Sequence, residues 1–160
     1  MENKMGHEMN EKNMNGYKKL AISLAINTVI MFLLTYVMID TMDHFRININ
    51  RIYMALIMAA PMGIVMLLVM RSMFKNKQLN TILFAAFGIA IVLLFFLMRT
   101  QTPVGNVQFL QSMIPHHSSA ILMCEQSTIT DPEIVSLCED IVQTQEEEIA
   151  KMNAIMEKYR

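Results

Sequence analysis

Charged side chains are scarce in this sequence and unevenly distributed. They make up 17% of its 160 residues, below the roughly 25% that is typical of soluble domains. Residues 1–100 carry a net charge of +5 and residues 101–160 a net charge of −6, which predicts two parts with different surroundings. No cluster of Lys and Arg lies away from the ends of the apolar runs described below, so the sequence gives no support to nucleic-acid binding.

Catalytic motifs are missing as well. The sequence contains no nucleophile elbow, no phosphate-binding loop and no recognisable Ser-His-Asp arrangement,. It also lacks the Glu-x-x-His motif that di-iron proteins place on their helices,. We therefore expect that the protein is not an enzyme.

Methionine, in contrast, is abundant, with 18 copies. Its flexible thioether side chain fills irregular gaps in apolar regions, and its sulfur is also a soft ligand that suits Cu(I). Each methionine therefore has two interpretations, as apolar filler or as a metal ligand, and filler is the default.

Three long apolar runs without charge extend over residues 20–39, 52–70 and 79–98. Each is close to the roughly 20 residues that a helix needs to cross about 30 Å of hydrocarbon. Backbone polar groups cannot be left unpaired in lipid, so helices are the expected structure. We predict a polar tail at residues 1–19 and three transmembrane helices within residues 20–99, with the lipid bilayer as a partner.

The distribution of Lys and Arg predicts the orientation of these spans. The tail carries four lysines, and the loop at residues 71–78 carries three basic residues. The loop at residues 40–51 carries only Arg46 and Arg51. Basic residues accumulate on the cytoplasmic side, so we expect a multi-pass protein of a bacterial inner membrane. Its N-terminus would be cytoplasmic and its C-terminal region periplasmic or extracellular.

The C-terminal region, residues 106–160, has the pattern of a helical hairpin. Its two helices are expected at about residues 107–127 and 132–159, the second beginning with a capping box of Thr130 and Glu133,. The predicted fold is therefore all-α, with three transmembrane helices followed by an antiparallel hairpin.

Apolar residues recur at helical spacing on both predicted hairpin helices and indicate their inward sides. On the first helix these positions are Phe109, Met113, His116, Ala120 and Met123. On the second they are Cys138, Ile141, Gln145, Glu148, Met152 and Ile155. Polar residues at positions expected to be buried are typical of a functional site.

The residues at these positions come close together when the two helices pack antiparallel with the turn near Asp131. His117 then faces Gln145, and Met113 falls near Glu148. Imidazole and thioether groups suit copper, and a carboxylate can orient a ligating histidine. We predict a metal site with Met113, His116, His117 and Met152 as ligands and with Glu148 and Gln145 in support. The alternative is a polar core that only fixes the register of the helices.

Cys124 and Cys138 are expected to face each other across the same hairpin. In an oxidising compartment they would form a disulfide that closes a short loop. Alternatively, they are thiolate ligands that extend the metal site towards the turn.

A row of methionines follows the second predicted span at intervals of four residues: Met54, Met58, Met62, Met66 and Met70. Such a row lies on one side of a helix and drifts by about 40° per step. It is either packing filler or a path for a soft metal. Met58 and Met62 form a Met-x-x-x-Met element that is similar to one in the eukaryotic-type copper transporters.

Several stretches of the hairpin resemble the signature of the bacterial domain-of-unknown-function family 305. They are Phe109 to Ala120 with its core Met113-Ile114-Pro115-His116-His117, then Asp131-Pro132-Glu133, and Gln145-x-x-Glu148-Ile149-x-x-Met152. The resemblance covers about residues 106–159, and the three-span front end is similar to a membrane-anchored subgroup.

This resemblance implies a ferritin-like fold of antiparallel helices. Some family members are linked to copper or silver handling in the periplasm, with His and Met ligands. Carried over to this sequence, the resemblance points to Met113, His116, His117, Met123 and Met152.

The leading functional expectation is a membrane-anchored protein that captures or buffers Cu(I) or Ag(I) outside the cytoplasm. One alternative is a copper transporter or channel that uses the methionines of the second span. Another is a structural or adaptor membrane protein with a polar helical core. Because a domain of about 55 residues is marginal alone, we also expect a homo-oligomer.

Overall fold

The fold is all-helical over the part of the chain that the structure, a computed structural model, describes. It describes residues 2–159, and the side chains of residues 14–159. The helices are α1 (Glu2–Leu34), α2 (Ile49–Val69), α3 (Lys77–Thr100), α4 (Asn106–Gln126) and α5 (Pro132–Met156), with single 3-10 turns at Met42–His44 and Glu157–Tyr159. The prediction of an all-α fold is confirmed.

The chain forms two compact units, each built from two separate segments. Residues 1–32 and 53–100 make the first unit, and residues 33–52 and 101–160 make the second. The first unit therefore holds most of the apolar helices. The second holds the hairpin together with the segment that joins α1 to α2.

Three helices are long and apolar enough to cross a membrane, as predicted: Met14–Leu34, Ile49–Val69 and Lys77–Thr100. The first ends at Leu34, before the predicted limit at residue 39, because the chain turns there and buries Tyr36. The Tyr36 hydroxyl donates to the carbonyl of Arg46 at 2.7 Å. The segment predicted as a tail continues α1 as helix from Glu2, and its side chains up to residue 13 lie outside the described ones.

Small residues line the buried side of α2, and one of them contacts α3. Ala55, Ala59 and Gly63 recur every four residues on the buried side of α2. A Cβ atom added to Gly63 would lie 2.5 Å from the ring of Phe87, so the ring rests directly on the α2 backbone. The absence of a side chain at Gly63 therefore allows a ring of α3 to reach the α2 backbone.

Helices α4 and α5 pack as a hairpin around an apolar core. Its buried members are Leu110, Ile114, Ile121, Ile149 and Met152. Asp131 caps α5, since its side chain accepts from the N–H groups of Glu133 and Ile134. The predicted capping box was therefore wrong by one position, because Asp131 is the equally suitable N-cap next to the first-turn proline.

Residues 33–52, which we call the strap, pack against this hairpin. Asn48, 1% exposed, donates to the carbonyls of Arg46 and Gln111. Its side-chain oxygen accepts from the N–H of Arg51 at the start of α2. Arg46 in turn donates to the Asn153 side chain on α5. The strap is thus a third element of the hairpin unit, which the sequence did not predict.

Candidate functional site

The centre of the candidate site is the pair His117 on α4 and Glu148 on α5. Nδ1 of His117 lies 3.0 Å from a carboxylate oxygen of Glu148, with 12% of the histidine side chain and 49% of the glutamate side chain exposed. The two groups are not aligned for a hydrogen bond, so the contact is an electrostatic one. The ring therefore lies with Nδ1 towards the carboxylate.

The surroundings of His117 favour its neutral form. Burial lowers the pKa of the imidazole below its ordinary value, the carboxylate of Glu148 opposes this shift, and His116 adds to it. Burial is the largest of these effects. A neutral imidazole has a free lone pair, which is the form that binds a metal.

Two thioethers lie one helical turn from this pair. Met113 precedes His117 by four residues on α4, and Met152 follows Glu148 by four residues on α5. Met152 is buried in the hairpin core and Met113 packs against that core. The structure therefore brings an imidazole, a carboxylate and two thioethers to one stretch of the hairpin. Met156, which also packs against this core, was missed, although it repeats the four-residue spacing after Met152.

Three other predicted residues lie outside this group. The ring of His116 is exposed and has its centroid 6.0 Å from that of His117. Met123 is exposed near the end of α4, and Gln145 is half-buried on α5. The structure provides no contact that joins these three to Met113 or Met152.

The predicted inward side of α4 was wrong. Phe109, His116 and Met123 are exposed. The buried positions are instead Leu110, Ile114, Pro115, Ser118 and Ile121. The reason is that α4 packs against the strap as well as against α5, and the strap moves the buried side by about one residue.

Ser118 marks the place where the strap reaches α4. Its side chain is fully buried and accepts a hydrogen bond from the N–H of Asp40 at 2.8 Å. Its oxygen also lies 2.9 Å from Nδ1 of His44. Sequence reasoning missed His44 and Ser118 because 74 residues separate them and neither belongs to an apolar repeat.

Cys124 and Cys138 form a disulfide near the turn of the hairpin. Both half-cystines line an open groove of about 490 Å³, together with acidic residues that include Glu125, Glu139 and Glu146. In this form the two sulfurs are bonded to each other, so neither is a thiolate ligand.

The donor set of the site is soft. Among the side chains of residues 14–159, no three or more His, Cys, Asp or Glu lie close enough together to hold a metal ion. The soft donors one helical turn from the His117–Glu148 pair are the thioethers of Met113 and Met152. Such a set suits Cu(I) or Ag(I) better than Zn²⁺, Mg²⁺ or Ca²⁺.

The methionine row of α2 lies beside its buried small-residue side. Met54, Met58 and Met62 are each about two-fifths exposed, and Met66 is half-buried. Within their own unit, the side chains of Met54, Met58 and Met62 are thus partly exposed, and that of Met66 is less so.

The comparisons with known proteins cover the hairpin and extend beyond it. The family model "Domain of unknown function (DUF305)" matches residues 68–156. An uncharacterized protein of Acanthamoeba polyphaga mimivirus is 31% identical over 121 residues, which are 74% of this chain and 78% of the viral protein. No solved structure matches the chain.

Proposed function

The chain belongs to the DUF305 family, and we propose that it is a membrane-anchored protein that captures Cu(I) or Ag(I) outside the cytoplasm and buffers it. The family description carries no activity, so the proposal depends on the site. The observation that carries it is the position of His117, with Nδ1 at Glu148 and a thioether one turn away on each helix.

Each residue of this group has a distinct role in the proposal. A ligating histidine generally directs its second ring nitrogen to a carboxylate or carbonyl, which fixes the ring and raises its basicity. Glu148 occupies that position for His117, so Nε2 is the ligating atom. Met113 and Met152 then supply soft sulfur donors from the two helices.

The proposed location follows from charge and from the composition of the units. Basic residues at the N-terminus and in the loop at residues 71–78 support a cytoplasmic location of these segments by the positive-inside rule,. The strap and the hairpin then lie on the opposite side, in the periplasm or outside the cell. The Cys124–Cys138 disulfide suits that oxidising compartment.

Transport of copper through the membrane has less support. Met54, Met58 and Met62 lie at the exposed side of α2, where contact with lipid explains them without a metal. A path along this row would require further copies of the chain to cover it. We therefore place the metal at the hairpin.

A Cu(I) competition titration tests the proposal. The full-length protein in mild detergent would compete with a chromophoric Cu(I) chelator, with ascorbate present to maintain Cu(I). We expect His117→Ala and the double variant Met113→Leu/Met152→Leu to bind at least tenfold more weakly, because they remove ligands. Glu148→Gln should lose about tenfold, at the low end for a residue that supports a ligand.

Met42→Leu is the matched control, because Met42 is a 78% exposed methionine of the strap and should not affect binding. Equal affinity in the wild type, the ligand variants and the control would contradict the proposal. That result would favour a polar core that only fixes helix register.

A further inference from the structure

The hairpin of α4 and α5 has two flanks, and the strap packs on only one of them. Ser118 on α4 and Asn153 on α5 both contact the strap. The His117–Glu148 pair lies on the other flank of the contact between α4 and α5. Glu148 and Asn153 are five residues apart on α5, so their directions differ by about 140° around the helix axis. We call the flank on the Glu148 side the free flank.

The free flank is apolar although it is exposed. Helical periodicity assigns to it Phe109, Met113, Ala120 and Met123 on α4 and Ile134, Leu137, Ile141 and Ile155 on α5. Phe109, Met123, Ile134 and Leu137 are 52%, 57%, 48% and 56% exposed, respectively. The ionisable residues at helical spacing with these positions are His116, Glu148 and Lys151. An exposed surface that is apolar apart from a few such residues marks an interaction site.

We propose that the free flank is the interface with a second copy of the chain, and that the two hairpins form a four-helix bundle there. In this bundle His116 of each copy joins the soft-metal site of the pair. The interface stands on the exposed flank alone, whereas the sharing of His116 rests on the proposed function.

A second copy suits this surface better than a lipid surface does. His116 and Glu148 lie in the middle of the flank, where hydrocarbon would leave them without polar partners. Residues 101–160 carry a net charge of −6, which anionic headgroups repel. Pairing two free flanks brings together mostly uncharged surfaces and offers each Glu148 the imidazoles of two copies.

The size of the flank is sufficient for a pair of anchored chains. With 21 and 25 residues, α4 and α5 are about 31 and 37 Å long. With each helix about 10 Å wide, the two helices present roughly 700 Å² per copy. The total of roughly 1,400 Å² is near the lower limit of specific interfaces. Anchoring in one membrane raises the effective concentration of the copies and favours pairing.

The proposal also explains the adjacent histidines. Neighbouring residues on a helix differ by about 100°, so His117 enters the contact between α4 and α5 while His116 is directed onto the free flank. A single copy does not bring three His, Cys, Asp or Glu together among residues 14–159. When two copies share this interface, His116 of each copy adds a second imidazole to the group around His117.

Cysteine cross-linking of the full-length protein in native membranes tests the interface. Ala120→Cys places a thiol on the free flank, and Ser136→Cys places one at an exposed position of α5 away from it. A short bismaleimide would be added with a copper chelator present, and the native cysteines are protected in their disulfide. We expect most of the Ala120→Cys protein, and little of the Ser136→Cys protein, to run as a covalent dimer.

Charge substitutions provide the second measurement. Leu137→Glu buries a carboxylate in the proposed interface and should reduce the Ala120→Cys dimer at least fivefold. Val135→Glu, on the same helix but in the groove on the strap side, should leave it unchanged. Met123→Cys serves as a second flank position if Ala120→Cys folds poorly.

The outcomes separate the interface from the metal site. Absence of dimer from both flank cysteines, or equal dimer from Ser136→Cys, would overturn the interface whatever the metal affinity. If the interface holds, Leu137→Glu should weaken Cu(I) binding at least tenfold in the competition titration. An unchanged Cu(I) affinity in that variant would overturn the shared site.

Discussion

At His117, burial and the neighbouring carboxylate of Glu148 shift the pKa of the imidazole in opposite directions. Burial in the hairpin lowers its pKa, while Glu148 partly restores it. The neutral ring is therefore the form that the folded chain favours at neutral pH. This form suits the proposed metal site, because a proton on Nε2 would block the atom that we propose as the ligand.

The lowered pKa of His117 predicts how stability depends on pH. As the pH falls, the unfolded chain takes up the proton near the ordinary value of about 6.5, before the folded chain does. The contribution to stability is therefore complete above that value and is lost as the pH falls below it. We expect the metal-free protein to lose stability between about pH 7.5 and 5.5, and His117→Gln to lose less over this range.

Urea midpoints of the detergent-solubilised protein at a series of pH values would measure this effect. Gln145→Ala is a suitable control, because it changes a half-buried residue of α5 without removing a titratable group. Curves for the wild type and His117→Gln that run parallel across the range would refute the prediction.

At the scale of single residues, the sequence predicted the contact between α4 and α5 but not the contact of the strap with α4. Met113, His117, Glu148 and Met152 come together because residues equidistant from a tight turn meet in an antiparallel hairpin. Ser118 is buried for a different reason, since its partners Asp40 and His44 belong to a segment before α2. Local periodicity contains no signal for a contact of that kind.

Helix α4 shows what amphipathic periodicity can and cannot establish. The stripe from Phe109 to Met123 is apolar at helical spacing, and this pattern predicted it to be the inward side. In the structure, α5 and the strap cover other sides of the helix, and much of this stripe remains exposed on the free flank. Periodicity thus identifies a surface to be covered without identifying what covers it. In our proposal, a second copy covers it.

The contact between α2 and α3 leads to a prediction about two glycines. A methyl group at Gly63 would lie within 3 Å of the Phe87 ring, whereas a methyl group at Gly88 would meet no atom within 4 Å. Gly63→Ala should therefore destabilise the protein by about 1–3 kcal/mol through overpacking. Gly88→Ala should be neutral or slightly stabilising, because alanine favours helix.

Thermal unfolding in detergent would compare the two alanine variants directly. Phe87→Leu should recover part of the stability lost in Gly63→Ala, since it shortens the ring side chain that meets the new methyl group. Equal melting temperatures for Gly63→Ala and Gly88→Ala would mean that Phe87 does not rest on α2.

At the scale of the whole molecule, the division into two units carries information about topology. The strap precedes α2 and the hairpin follows α3, yet both belong to one compact unit. Two helices of membrane-spanning length lie between them in the chain. An even number of crossings returns the chain to the side from which it left, so we expect the strap and the hairpin to share one side of the membrane.

This shared side can be tested by labelling single cysteines in intact bacterial cells with a membrane-impermeant maleimide. The exposed positions are Thr41 in the strap, Ser136 in the hairpin and Ser72 in the loop after α2, and the native cysteines are protected in their disulfide. We expect Thr41→Cys and Ser136→Cys to be labelled, and Ser72→Cys only after the cells are permeabilised, because the positive-inside rule predicts that the basic loop is cytoplasmic. The reverse pattern would keep the shared side but invert the proposed orientation, and with it the compartment of the proposed metal site. Labelling of Thr41→Cys and Ser136→Cys from opposite sides would rule out the hairpin unit itself, because residues that pack together cannot be separated by a bilayer.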